Sequence, residues 1–234
     1  MTLIQHNLNK LIKKIHDIAL LYGRNPEKIK LIAVSKNKPI SDIMEIASLK
    51  QISFGENYVQ EGIEKIRSIK TCCLNLEWHF IGHLQSNKSR LIAEYFSWCQ
   101  TIDSISIARK LNDKRPFYLP PLNVLIQVNI SNDEKKCGTI PNNIFNIAEQ
   151  IISLPKLRFR GLMAIPKLEN DYNKQFHEYK KMVQLFDKLK QDFSDIDTIS
   201  LGMSNDMEMA IAAGSTMLRI GRDIFGIRDN FTDT

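Results

Sequence analysis

The sequence predicts an α/β protein folded as a (β/α)8 (TIM) barrel with one extra helix in front. Three observations carry that expectation. Short apolar runs alternate with segments of helical periodicity eight times along the chain. The runs are apolar throughout rather than alternating with polar residues, so both faces of each strand are covered, as in a parallel sheet. Eight strand–helix units in 234 residues match a closed barrel joined by right-handed crossovers. A doubly wound open sheet is the alternative arrangement of the same units.

The elements follow in order. Ile4, Leu8, Leu11, Ile12, Ile15, Ile18, Ala19 and Tyr22 recur at helical spacing, and Gly23 stops the stripe. Its regularity and the acidic Asp17 favour a structural helix over a basic transit peptide. "KLIAVS" (30–35) is the first strand, with a helix opening near Ser41. "QISFGE" (51–56), "LEWHFIG" (76–82) and "WCQTID" (98–103) come next, each with a helical segment behind it. "NVLIQVNI" (123–130) is the clearest strand, and Pro116, Pro120 and Pro121 punctuate the connection before it. "LRFRGLMAI" (157–165) leads into a long helix within 171–193, "DTISLGM" (197–203) into "DMEMAIAAG", and "TMLRIG" (216–221) into a short last helix. No repeat or low-complexity linker divides the chain, so residues 1–234 are expected to form one domain.

Composition narrows the function classes. A hydrophobic fraction of 43% and a charged fraction of 25% are ordinary for a globular protein. The net charge of +6 is spread over 32 basic residues with no aromatic-interleaved basic tract, which argues against nucleic acid. Cys72, Cys73, Cys99 and Cys137 show neither CxxC spacing nor partner histidines at metal-ligand spacing, so unpaired thiols in a reducing compartment are expected and no metal. No apolar run approaches a membrane span and no leader pattern opens the chain, so a cytoplasmic protein is expected.

In a barrel the site lies at the C-terminal ends of the strands. Those ends carry Lys36, Glu56 and Asn57, Gly82 and His83, Asp103, Asn129, Met163, Gly202-Met203-Ser204, and Gly221-Arg222. The first strand, "LIAVSKNKP", carries a lysine off its end; Lys36 is a snorkelling residue, half of a salt bridge, or a nucleophile. Barrels often bind phosphate after strands seven and eight. There "LGMSND" offers Ser204, and "RIGRDIFG" offers a glycine that lets backbone N–H groups approach an anion. A ligand bearing a phosphate and a carbonyl fits both ends, with Lys36 as a Schiff-base amine. Lys38, next to Pro39, is expected to be exposed. Lys136, after strand five, is either a second amine near the mouth or an ordinary exposed lysine.

The motifs "AVSKNKP", "FGENYVQE", "WHFIGHLQSNK", "RGLMAI" and "SLGMSNDMEMAIAAGSTMLRIGRDIFG" resemble, in order and over essentially the whole chain, the YggS/PROSC family of pyridoxal 5′-phosphate (PLP) homeostasis proteins. The resemblance implies a barrel of the alanine racemase N-terminal domain type. It implies that Lys36 holds PLP as a Schiff base, and that Ser204 and backbone N–H groups near Gly221 and Arg222 hold the phosphate. It also implies that Arg219 faces the pyridine nitrogen and that Asn57 and His79 line the ring pocket. Arg222 departs from the small or hydroxyl residue of that place, which matters little for a backbone contact. The implied partners are PLP and, as its receivers, PLP-dependent apo-enzymes; the implied state is a monomer.

Other polar residues read as structural. His79 and His83 lie on a strand and its turn, so a shared metal is not expected. His6, His16 and His177 read as surface residues, and Trp78 and Trp98 as packing. Asp206 and Glu208 would favour the following helix through its dipole. The expected function is a PLP carrier that does not turn over amino acids, against a PLP-dependent racemase or decarboxylase, or an aldolase whose Lys36 attacks a phosphosugar. The sequence runs to Thr234, soon after Gly221, so the second domain that supplies a tyrosine in alanine racemase is not expected here.

Overall fold

The computed structural model describes residues 1–71, 75–133, 136–167 and 171–226. Eight parallel strands close into a barrel in chain order, which excludes the open sheet. They are β1 (Lys30–Val34), β2 (Ser53–Glu56), β3 (Glu77–Phe80), β4 (Trp98–Ile102), β5 (Leu122–Val128), β6 (Leu157–Ala164), β7 (Thr198–Ser200) and β8 (Met217–Ile220). The helices are α1 (Leu3–Leu21), α2 (Ile40–Ala47), α3 (Val59–Lys70), α4 (Ser89–Tyr95), α5 (Ile105–Lys114), α6 (Ile144–Ile152), α7 (Tyr172–Asp192), α8 (Met207–Ala213) and α9 (Arg222–Phe225).

Alternation along each strand separates two cores. Phe54, Phe80, Cys99, Val124 and Leu162 face outward and join the helix residues Ile43, Ile63, Ile92, Leu111 and Ile147. Ile32, Trp98, Leu125, Met163 and Met217, from five different strands, form a smaller apolar cluster of their own. Burial on both faces is why the strand sequences are apolar runs.

Helix α1 starts with a reciprocal cap: Gln5 N–H donates to Thr2 Oγ1, and Thr2 N–H to Gln5 Oε1. It buries Leu8, Leu11, Ile15, Ile18 and Ala19, and Asn7 Nδ2 donates to Ile224 O at 3.2 Å, tying α1 to α9. Ile12 and Tyr22 are exposed instead of sharing the stripe: Ile12 sits about 70° from the face centred on Leu8, Leu11 and Ile15, and Tyr22 is the C-cap, where the helix ends.

Cys99 is buried and Cys137 exposed, both as free thiols, while Cys72 and Cys73 lie outside the described residues. Burial pushes the Cys99 thiol up to about 11, so it packs as a small apolar group. No described helix is long and apolar enough to cross a membrane, and the described residues hold no cluster of three or more metal-ligating side chains.

A cavity between the first and last strands

A cavity of about 520 Å³ lies at the C-terminal ends of the strands, lined by Lys36, Lys38, Asn57, Ile81, Met203, Ser204, Arg219, Gly221 and Arg222 among others. It brings together six of the seven residues singled out in the sequence. They meet because β1 pairs with β8, which puts Ile32 beside Arg219 and Ala33 beside Ile220.

The turn carrying Lys36 is held from below. Ser35 N–H donates to Gly55 O, and Ser35 Oγ donates to Glu56 Oε1 at 2.6 Å. Asn37 takes a left-handed conformation, φ 60°, which asparagine tolerates better than most residues. Its N–H donates to Glu61 Oε1 at 2.5 Å. Lys65 of α3, 5% exposed, donates to Ser35 O (2.7 Å), Glu56 Oε1 (2.8 Å) and Glu61 Oε1 (2.6 Å). Burial pushes the Glu56 carboxyl up, and Lys65 and Ser35 pull against that rise. Sequence reasoning missed Lys65 as a site residue. A Glu61–Lys65 spacing is the ordinary i,i+4 pattern of a solvated helix face.

Opposite β2, Gly82 presses on the backbone of Asn57: a Cβ at Gly82 would sit 1.9 Å from Asn57 O. At the other wall a Cβ at Gly221 would crowd Val34 O at 3.1 Å. The missing side chain lets the turn after β8 close against the end of β1. Arg222 is exposed, and its Nη1 donates to Asn205 Oδ1 at 3.2 Å, linking the turns after β7 and β8. Ser204 lines the cavity, and its hydroxyl has no hydrogen-bond partner among the described residues.

Arg219 forms the floor at 4% exposure. Its Nη2 donates to Ala164 O at 2.9 Å and its Nη1 to Ser200 Oγ. Burial lowers the guanidinium to about 10, with Asp206 and Tyr179 opposing, so it is a cation at neutral pH. Asp206 stands at the N-cap of α8 as expected, and it also shapes the turn after β7: its Oδ1 accepts from Met203 N–H at 2.5 Å and its Oδ2 from the Tyr179 hydroxyl. Glu208, on the first turn of α8, accepts from the Tyr22 hydroxyl at 3.2 Å.

Two further residues, His79 and Lys38, are placed differently from their sequence expectations, and Lys136 takes the first of its two alternatives, beside the cavity-lining Ile165. His79 does not line the cavity. It is fully buried one layer below, because Ile81, two residues on and just past the end of β3, occupies the mouth position. His79 Nε2 meets Glu77 Oε1 at 2.7 Å, its Nδ1 meets Gln100 Nε2 at 3.0 Å, and its ring stacks on Trp98 with centroids 5.0 Å apart. Trp98 is therefore both core and stacking partner. Lys38 is half-buried and lines the cavity, its Nζ donating to Phe225 O at 3.2 Å. Lys136 is half-buried, with its Nζ donating to Ile165 O at 3.0 Å, and burial pulls its ammonium pKa down.

Residues 4–229 match the alanine racemase N-terminal domain family. The chain is 56% identical over 227 residues to the pyridoxal phosphate homeostasis protein of Escherichia coli (strain K12), covering 97% of both chains. This chain belongs to the pyridoxal phosphate homeostasis protein family. Among solved structures, PipY of Synechococcus elongatus PCC7942, determined with PLP bound, is 32% identical with a TM-score of 0.79, covering 91% of this chain and 100% of that one. Alanine racemase of Clostridium difficile 630 shares the fold of this homeostasis-family barrel at 16% identity and a TM-score of 0.78, covering 97% of this chain and 60% of that one.

Proposed function

We propose that this chain binds pyridoxal 5′-phosphate on Lys36 and holds it, as a homeostasis protein, without turning over amino acids. One observation carries the reading: a lysine amine, a buried guanidinium and an uncommitted serine hydroxyl beside a glycine turn line one cavity. Its volume, about 520 Å³, suits a small cofactor, and the fit is supported by the PLP-bound PipY structure. When bound, PLP supplies an aldehyde that condenses with a lysine amine, losing water, and a ring able to withdraw electrons. Lys36 is the amine that carries it. Ser204 and the N–H groups after Gly221, which have no acceptor within the helix they begin, hold the phosphate. Asn57 would border the ring, and Arg219 would face its nitrogen.

Retention without turnover is supported by what the cavity lacks. Moving an α-proton needs an acid or base within reach of each face of the carbon. No tyrosine, histidine or glutamate is among the described lining residues, the Lys38 amine is held by Phe225 O, and Asp206 is tied to Met203 and Tyr179. Arg219 keeps its own proton and so leaves the ring nitrogen unprotonated, which weakens electron withdrawal. The free thiols of Cys99 and Cys137 suit a reducing compartment. On that ground we assign it to the cytoplasm, and we propose that it is a monomer handing PLP to apo-enzymes.

Borohydride reduction followed by peptide mapping tests the binding. The expected result is one pyridoxyl group on Lys36, absent in Lys36→Ala. A label on Lys38 instead, or a colourless protein reactive with a phosphosugar, would overturn it. NMR in D2O with L-alanine tests the second half. Loss of the α-proton signal at an enzyme's pace, on the order of 1 per second, would make the protein an enzyme.

A further inference from the structure

A file of polar side chains crosses the barrel interior beneath the cavity. Arg219 Nη1 donates to Ser200 Oγ. Ser200 has one proton to give, and gives it to Gln100 Oε1 at 2.8 Å. The carboxamide then donates from Nε2 to His79 Nδ1 at 3.0 Å. That leaves the imidazole proton on Nε2, directed at Glu77 Oε1 at 2.7 Å. Glu77 also accepts from Ser53 Oγ at 3.0 Å and pairs with Lys30. Ser200, Gln100 and His79 are 0% exposed, whereas the Glu77 side chain is 29% exposed at the barrel's opposite end.

The two ends dictate the direction of everything between them. A guanidinium only donates and a carboxylate only accepts, so every N–H and O–H in the file points from Arg219 towards Glu77. Gln100 bars proton transfer, because an amide cannot pass a proton from Oε1 to Nε2 without becoming an imidic acid. Aligned hydrogen bonds polarise one another in a low dielectric, so the file transmits polarisation only. Burial pushes His79 down to about 4, which keeps it neutral and its Nδ1 an acceptor. Burial opposes ionisation of Glu77 too, but the hydrogen bond from His79 and the Lys30 charge outweigh it and hold the carboxyl well below its usual range.

We propose that Glu77, remote from the cavity, is a positioning residue for the cofactor ring. Through His79, Gln100 and Ser200 it keeps the proton on Arg219 and off the pyridine nitrogen. The inference rests on the PLP reading above. A merely structural file of mutually satisfied groups would be indifferent to the charge at its far end, whereas the proposed role requires the ring nitrogen to respond to it.

The experiment loads the full chain with PLP labelled with 15N at the ring and records that nitrogen's resonance. Glu77→Gln keeps shape and hydrogen bonding but removes the charge, so the resonance moves upfield, towards protonated pyridine. Ser200→Ala moves it the same way, and Ser200→Thr, which keeps the hydroxyl, restores it. Gln100→Glu brings a carboxylate directly to Ser200 and holds the resonance at or downfield of wild type. An unchanged resonance in Glu77→Gln overturns the inference, as does a shift in Ser200→Ala that Glu77→Gln does not share. Should Glu77→Gln fail to fold, an upfield shift in Gln100→Glu overturns it alone. Failure of the PLP reading looks different: the wild type then carries no borohydride-fixed group on Lys36.

Discussion

Ser204 offers a hydroxyl to the proposed phosphate, and such a charge-assisted bond contributes roughly 1.5–3 kcal/mol. Ser204→Ala is therefore expected to weaken PLP retention by about tenfold or more, read as the dissociation constant by fluorescence titration. Pyridoxal should bind far more weakly still, since the N–H groups after Gly221 lose their anion; equal affinities for the two ligands would refute the phosphate site. Lys36, Ser204 and Gly221 were legible in the sequence because each stands at a strand end, where side-chain direction matters little. Lys38 was not. The left-handed turn at Asn37 swings it back over the cavity, and that conformation has no dedicated sequence signal. His79 misled for a related reason. A residue inside a barrel points inward by alternation, but its height is set by strand stagger, and Ile81 had the mouth position.

Helix α3 braces the Lys36 turn with one buried cation. Removing the partner of a buried carboxylate costs about 3–5 kcal/mol. Lys65→Met, which keeps the length of the side chain, should therefore lower the urea midpoint strongly and also loosen PLP retention, because Ser35 O and Glu56 each lose the charged one of their donors. A variant of undiminished stability would mean that Glu56 is protonated and needs no cation. Gly82→Ala tests the neighbouring wall. The methyl would sit 1.9 Å from Asn57 O, so Asn57 must move, and PLP affinity should fall even in protein that remains folded by circular dichroism. Strand and helix order were readable from apolar periodicity, since each element buries its own stripe. The Lys65 brace and the file beneath the cavity were not, since their members come from separate elements and meet only once the barrel closes.

The molecule as a whole should lose stability in mild acid. His79 has a folded pKa of about 4 against an unfolded value of 6.5. The unfolded chain thus binds more protons between those limits, and stability is fully present above pH 6.5 and falls as the pH drops towards 4. The loss amounts to about 3 kcal/mol. Glu77, also depressed in the fold, extends the loss below pH 4.5. Glu56, raised by burial, acts with the opposite sign, gaining stability as pH falls through its folded pKa. Urea midpoints at pH 7, 5.5 and 4.5 should decline in wild type and decline less steeply in His79→Gln. Parallel slopes would show that His79 is not buried neutral.

Barrel closure also sets a timetable. During synthesis β1 emerges among the first elements, yet its pairing partner β8 is the last strand made. Until Met217–Ile220 has left the ribosome, β1 has one unpaired edge, and Arg219 and Gly221 are absent from beside Lys36. A nascent chain therefore presents the Lys36 amine without the walls proposed to select its ligand. On the PLP reading, the amine then meets any aldehyde without discrimination, and selectivity for a phosphorylated cofactor is expected to arrive all at once, with the final turn.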